Sequence, residues 1–181
     1  MEFDNLLPYL IQKFHEWLLE QRNLQLRNAR PVSREERLLL HEYFEGRILD
    51  SARIATVEQI PNPTFYSELT KSGVSIPLDL TQSAGITLIN CILICQYYKS
   101  SPLAWLSILF HELVHVVQYD ILGSEKLAEL YIAGWAQNGY RYENIPFEQQ
   151  AYELEGRFNR GGSPFYVRQF VEQQLKFGAK G

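Results

Sequence analysis

The chain has 181 residues, of which 46% are hydrophobic and 13% aromatic, enough to bury a sizeable core in one domain of ordinary length. Its formal net charge of -4 and sequence pI of ≈ 5.6 do not indicate the clustered lysine and arginine that bind nucleic acids and anionic membranes. We therefore predict no nucleic-acid partner and no membrane partner.

The amino-terminal run MEFDNLLPYLIQKF carries acidic residues where a secretory signal needs a basic region, and no small-residue cleavage site follows it. A cytoplasmic protein is therefore expected. The apolar runs after Ala84 and Pro102 are too short or too polar to span a bilayer. Cys91 and Cys95 lie four residues apart in an apolar run, and they are predicted to be free buried thiols.

Two helices are predicted in residues 1–50. Asp4 or Asn5 can cap the first helix, which closes before Pro31. Its apolar positions recur at helical spacing: Phe3, Leu7, Leu10, Phe14, Trp17 and Leu18. Ser33 and Glu36 form a capping box, which predicts a second helix from about residue 34 to the high forties. His15 and His41 lie singly on these helices, so they are predicted to be surface or half-buried side chains and not metal ligands.

Residues 52–98 change to a β pattern. The runs RIATV and AGITLINCILICQYY are rich in Ile, Val, Thr and Tyr, which favour strands. Three prolines and a glycine interrupt the segment between them. We predict a small sheet of two to four strands with one long loop.

Residues 101–178 are predicted to be helical. Ser101 and Pro102 are typical of an N-cap and a first helical position, and Gly123 ends this long helix about twenty residues later. Serine, proline and glycine mark the other boundaries: Ser124 and Gly139 for the next helix, Gly161 and Gly162 after FEQQAYELEGRFN, and Ser163 with Pro164 for the last helix. The predicted fold class is α+β, mainly helical with a small β-sheet before the long helix, in a single domain over residues 1–181.

The long helix carries a polar stripe. At about 100° per residue, the stripe is about 80° wide and contains Ser107, His111, His115 and Gln118. Glu112 lies beside it, and apart from Asp120 the rest of the circumference is apolar. Such a helix is central and buried, and an unpartnered buried polar group costs on the order of 2 kcal/mol or more. The stripe therefore needs a partner.

A divalent metal explains both the identity and the spacing of these residues. His111 and His115 are the histidines of an H-E-x-x-H motif. Side chains at i and i+4 have Cβ atoms about 6 Å apart, so both rings can bind one Zn²⁺. Glu112 can then act as general base towards a water whose pKa the zinc has lowered.

A catalytic zinc site needs a third protein ligand and keeps a fourth position for water. No histidine follows His115, so the candidates are carboxylates: Asp120, Glu125, Glu129, Glu143, Glu148, Glu153 and Glu155. Asp120 points away from the stripe. Glu148 begins a helix after a loop, and the small Ala151 one turn later permits close helix approach. Glu153 and Glu155 are typical of a solvated face, although Glu155 is also placed to accept a histidine N–H.

The run HELVHVVQ, followed by a helix and a glutamate in IPFEQQAYELEGRF, resembles the gluzincin group of zinc metallopeptidases. Residues 84–158 are also similar to small bacterial metallopeptidase domains with a His-Glu-Leu-x-His-Val-x-Gln core. The resemblance implies a zincin-like fold and a zinc cofactor held by His111, His115 and Glu148, with Glu112 as catalytic base. The thermolysin-like pattern has asparagine and an acid where this chain has Phe147 and Tyr152.

In gluzincin-like folds a strand borders the cleft and pairs with extended substrate, and residues 85–94 are the candidate here. Tyr131, Tyr140, Arg141 and Tyr142 are all candidate donors to the oxyanion of the reaction. Zinc-dependent hydrolysis of a peptide or protein substrate is the leading hypothesis.

Two alternatives are a non-catalytic metal-bound regulatory or scaffold module and a small-molecule metallohydrolase. Glu112 distinguishes the non-catalytic module from an enzyme. A structural zinc usually has four protein ligands, several of them cysteines, and needs no acid beside it.

Overall fold

The computed structural model describes residues 3–71, 73 and 78–178, and in these ranges the chain forms eight α-helices and four β-strands. The helices are α1 (Leu7–Gln25), α2 (Arg34–Leu40), α3 (Gly46–Ser51), α4 (Phe65–Lys71), α5 (Pro102–Leu122), α6 (Ser124–Gln137), α7 (Pro146–Asn159) and α8 (Val167–Gly178). The strands are β1 (Arg30–Pro31), β2 (Arg53–Val57), β3 (Gly85–Leu88) and β4 (Cys91–Cys95). The α+β class, mainly helical with a small sheet before the long helix, is confirmed.

The strands form one sheet in the order β1-β2-β4-β3. β2 and β4 are parallel, while β3 and β4 form an antiparallel hairpin that turns at Ile89 and Asn90. The predicted run AGITLINCILICQYY therefore contains two strands. β1, which pairs antiparallel with β2, was not predicted, because two residues are too short to show an alternating pattern.

The sheet lies between two layers of helices. In β4, Cys91, Leu93 and Cys95 face a cluster that includes buried side chains of α1 and α6. Ile92 and Ile94 face the opposite cluster, to which α3, α5 and α7 contribute. This alternation follows from the two-residue period of a strand, and it leaves every residue of β4 buried. Both cysteines are free and buried, as predicted.

Helix α5 is at the centre of the fold. It contacts α6, α7, α8 and both strands of the hairpin, and its residues 109–119 are all buried. Its bounds match the prediction, with Ser101 as the N-cap residue and Gly123 ending the helix at φ 78°. The Ser101 side chain, however, makes no capping hydrogen bond. The prediction of a buried central helix is confirmed.

The predicted second helix is shorter than expected. The Ser33–Glu36 capping box is present, but α2 ends at Leu40, and α3 is a separate helix. Tyr43 explains the break, because its backbone oxygen accepts a hydrogen bond from Val167 N at 3.1 Å. Its ring also packs edge-on against Phe110 and other aromatic rings. These contacts replace the hydrogen bond that a continuous helix would make.

Three other predicted helix starts are wrong. α1 follows a 3-10 turn, and its N-cap is Leu6 instead of Asp4 or Asn5. Ser124 does not cap α6, because its hydroxyl lies 3.0 Å from His15 Nε2. α8 begins at Val167, since the preceding Phe165 is buried against the core in non-helical chain.

The predicted long loop of residues 52–98 contains α4 and a 3-10 turn over Leu80–Gln82, while positions 72 and 74–77 of this loop lie outside the described residues. His15 is half-buried and His41 is exposed, as predicted. None of the helices in the described ranges has the length and apolar composition needed to cross a membrane.

Candidate metal centre

Helix α5 brings His111 and His115 together on one buried face. Their Nε2 atoms lie 3.1 Å apart, and the two side chains are almost completely buried. The i, i+4 spacing produces this approach directly, because residues four apart lie one above the other on a helix.

Glu148 reaches the same point from α7. Its Oε2 lies 3.2 Å from His111 Nε2, and its Oε1 lies 3.4 Å from His115 Nε2. Glu148 is in the first turn of α7, and Ala151 is fully buried one turn later, as the sequence predicted. Ligand atoms of these three residues all lie within 4.8 Å of one another, so the group can hold a metal ion.

Hydrogen bonds on the far side of each ring determine which nitrogens face this point. His111 Nδ1 lies 3.1 Å from Glu155 Oε2, and a carboxylate only accepts. His115 Nδ1 lies 2.7 Å from Gln118 Oε1, while Gln118 Nε2 donates to the Phe147 carbonyl oxygen at 3.2 Å. Both Nδ1 atoms therefore carry the proton, and both Nε2 lone pairs point at each other and at Glu148.

Two lone pairs and a carboxylate at this separation require a positive charge between them. Burial lowers the pKa of His111, but the hydrogen bonds to Glu148 and Glu155 outweigh it and raise the pKa to about 10. A divalent metal ion brings two positive charges to this point, whereas a bound proton brings only one. In a tetrahedral zinc site with bonds of about 2.0 Å, the ligand atoms lie about 3.3 Å from one another. The three distances between the Nε2 and carboxylate oxygen atoms given above are close to this value.

Glu112 lies beside the cluster without joining it. Thr87 of β3 donates its hydroxyl to Glu112 Oε2 at 2.8 Å, with the Glu112 backbone oxygen 2.9 Å away. A Cβ on Gly85 would come within 2.8 Å of Glu112 Oε1, so the glycine permits this close approach of β3. Burial raises the pKa of Glu112, which suits a carboxylate that accepts a proton in a reaction.

The cluster lies between two cavities. An open cleft of ≈ 490 Å³ is lined by His111, Glu112 and Glu155, and a smaller cavity of ≈ 30 Å³ is lined by Glu112, His115 and Glu148. Gly85 lines both cavities. The predicted edge strand, residues 85–94, is two strands: β3 lies at the edge of the described sheet and its Gly85 lines the cleft, while β4 is interior.

Of the four predicted oxyanion donors, two face the site. Tyr131 donates its hydroxyl to Glu148 Oε1 at 2.7 Å, and Tyr142 lines both cavities. Burial and the Glu148 charge raise the pKa of both tyrosines, so both keep their protons. Tyr140 packs against Trp135, and Arg141 is exposed beside Glu143.

The remaining candidate acids lie elsewhere. Asp120 pairs with Arg47 and Arg168, and Glu153 is exposed. Glu143 and Glu129 pair with neighbouring basic residues, and Glu125 is exposed. Within the described residues, Glu148 is thus the only one of these carboxylates in the histidine cluster.

Sequence reasoning missed two contacts of the site. The sequence marks Thr87 only as a strand residue, although the two-residue alternation of β3 puts it on the α5 side. The ring of Tyr152 lies 4.5 Å from the His111 ring, at the position where the thermolysin-like pattern has an acid. Here the histidine-orienting carboxylate comes from Glu155, one turn further along α7.

No protein-family model, curated protein or solved structure matches this chain. Its function is therefore inferred from the geometry of the cluster.

Proposed function

We propose that the protein is a zinc-dependent metallopeptidase of the zincin-like, gluzincin type. The observation that carries this proposal is the buried convergence of His111, His115 and Glu148, with Glu112 beside them and outside the ligand group. Three protein ligands and an adjacent acid are the donor set of a catalytic zinc site, whereas structural zinc sites usually have four protein ligands.

The residues have distinct roles in this reaction. His111, His115 and Glu148 would hold zinc, which when bound polarises a carbonyl and lowers the pKa of a water molecule. Glu112 accepts a proton from the attacking water and returns it to the leaving amine nitrogen. Thr87 holds the Glu112 carboxylate in position, and Tyr131 holds Glu148 through its one hydroxyl proton. Tyr142, which lines both cavities, is placed to donate to developing negative charge.

The surroundings favour a peptide substrate over a small molecule. β3 is an edge strand, and its Gly85 lies directly at the cleft. An edge strand offers backbone hydrogen bonds to an extended peptide, so the cleft has a means of aligning a polypeptide beside Glu112.

We test this proposal with Glu112→Gln. The variant should keep stoichiometric zinc and its melting temperature, but should lose peptide hydrolysis by roughly two to four orders of magnitude, the usual contribution of a positioned general base. Zinc is measured by elemental analysis, and cleavage by mass spectrometry of a peptide library.

Glu153→Gln is the matched control, because Glu153 is exposed on α7 and should retain both zinc and activity. Undiminished cleavage by Glu112→Gln would place the activity at another site. A folded protein that takes up no zinc would remove the basis of the proposal.

A further inference from the structure

The walls of the open cleft carry one sign of charge. Asp79, Glu112 and Glu155 line it. Hydrogen bonds from Thr81 and Asn62 hold the pKa of Asp79 below its usual range, so this side chain is ionised at neutral pH. Any group that enters the cleft therefore meets several carboxylates.

Basic residues do not balance these acids. Across the ranges that the structure describes, neither the cleft nor the smaller cavity is lined by lysine or arginine. Arg141, which precedes the cleft residue Tyr142, is exposed and pairs with Glu143. A substrate carboxylate or phosphate would thus have no guanidinium or ammonium partner on the protein.

Aromatic rings complete the walls. Tyr98, Tyr142 and Tyr152 line the cleft, and Tyr152 is half-exposed. The face of an aromatic ring attracts ammonium and guanidinium groups. Together with the carboxylates, these rings suit neutral or cationic groups.

We infer that the cleft accepts interior stretches of polypeptide with neutral or basic side chains and rejects carboxylates, whether on side chains or at a chain end. This inference rests on the proposed peptidase function and names its substrate class. A carboxypeptidase must hold the terminal carboxylate close to the cleaved bond, which here would place it among Asp79, Glu112 and Glu155. The two positive charges of bound zinc are offset by Glu148 and Glu112, so Asp79 and Glu155 leave the cleft negative. Like charges at short range are unfavourable outside bulk water.

The test uses the zinc-loaded full chain and a degenerate peptide library made in two forms. One form is acetylated and amidated, and the other has a free carboxyl end. Both forms should be cleaved at similar rates and at interior bonds. Lys and Arg next to the cleaved bond should be favoured over Asp and Glu by roughly tenfold or more in kcat/KM.

Cleavage restricted to peptides with a free carboxyl end, or concentrated beside Asp and Glu, would overturn the inference while leaving the peptidase proposal intact. If zinc is bound and neither library is cleaved, the proposed function fails and the inference fails with it. The two failures are therefore distinguishable.

A charge variant tests the cause directly. Gln82 is exposed on the cleft wall, so Gln82→Lys adds a cation there and should raise kcat/KM for acidic peptides several-fold relative to basic ones. Gln169→Lys is the control, since Gln169 is exposed on α8 and lines neither cavity. An unchanged preference in Gln82→Lys, or an equal change in the control, would contradict the inference.

Discussion

Helix α7 carries three glutamates within a stretch of eight residues, and their surroundings differ. Glu148 is buried between both histidines, Glu155 accepts hydrogen bonds from His111 and from Ser107, and Glu153 is exposed. Because each residue turns the helix by about 100°, Glu153 projects from a different side than Glu148, while Glu155 returns to the same side two turns later. One helix thus supplies both a candidate ligand and the group that orients another ligand.

Alanine variants at these three positions should separate the roles. Glu148→Ala should abolish stoichiometric zinc binding, because it removes one of three ligands. Glu155→Ala should weaken zinc binding by about 10 to 100-fold, the usual effect of losing a group that orients a histidine ligand. Glu153→Ala should bind zinc like the unmodified protein. Zinc affinity is measured by competition with a chromogenic chelator.

A different ranking would identify a different ligand. If Glu148→Ala keeps zinc and Glu153→Ala or Glu155→Ala loses it, the ligand assignment is wrong. If all three variants keep zinc, the third ligand lies outside α7.

Helices α5, α7 and α8 are joined by a chain of glutamines behind His115. Gln118 of α5 donates to Gln150 of α7 at 3.0 Å, and Gln150 donates to Gln174 of α8 at 2.5 Å. Gln118 is fully buried, and its oxygen accepts the His115 Nδ1 proton. The packing of α7 and α8 therefore orients a histidine of α5 through neutral side chains, whereas His111 is oriented by a carboxylate.

Replacing Gln118 by methionine should preserve the volume of the side chain and remove its hydrogen bonds. We expect a loss of zinc affinity of about 10 to 100-fold. The unfolding free energy should also fall by about 1–3 kcal/mol, because the buried His115 Nδ1–H loses its acceptor and Gln150 Oε1 loses the Gln118 donor. Cobalt-substituted protein should show shifted visible bands, because the His115 ring is no longer held in one orientation.

Gln149→Met is the matched control, since Gln149 is exposed on the same helix as Gln150. It should leave the cobalt spectrum and the zinc affinity unchanged. A Gln118→Met protein that is destabilised but has an unchanged spectrum would mean that Gln118 supports only the core.

The proposed zinc site connects parts of the chain that are distant in sequence. Residues of α5 and α7 form the cluster, and β3 contacts it through Thr87 and Gly85. The cluster lies in the interior of the packed helices, where burying polar groups is unfavourable unless they are paired. A metal at this point therefore stabilises the folded chain as a unit.

Removing the metal should lower the thermal stability of the whole chain. At a free zinc concentration about a thousandfold above Kd, binding stabilises the native state by about 4 kcal/mol. For a protein of this size, that corresponds to a fall in Tm of roughly 8–16 °C after treatment with a strong chelator. Differential scanning calorimetry measures the change, and zinc should restore the original Tm.

Glu148→Ala is the control for this effect, because a protein without the metal should not respond to the chelator. Equal melting temperatures of the zinc-loaded and chelated protein would contradict a metal that supports the fold.

Local patterns were sufficient for the features that depend on a single helix. The bounds of α5, its end at Gly123, the Ser33–Glu36 capping box and the shared face of His111 and His115 were all predicted correctly. Each depends on residues at most about twenty positions apart, and helix geometry alone relates them in space.

Tertiary packing decided the features that join separate elements. The choice of Glu148 among seven carboxylates was favoured by sequence, but it is the approach of α7 to α5 that brings it to the histidines. Likewise, Tyr43 ends a predicted helix because of contacts with α5 and the chain before α8, and Thr87 reaches Glu112 from another element. Helix propensity contributes from a few tenths of a kcal/mol to about 1 kcal/mol per residue. Burial and hydrogen bonding between distant elements therefore override it.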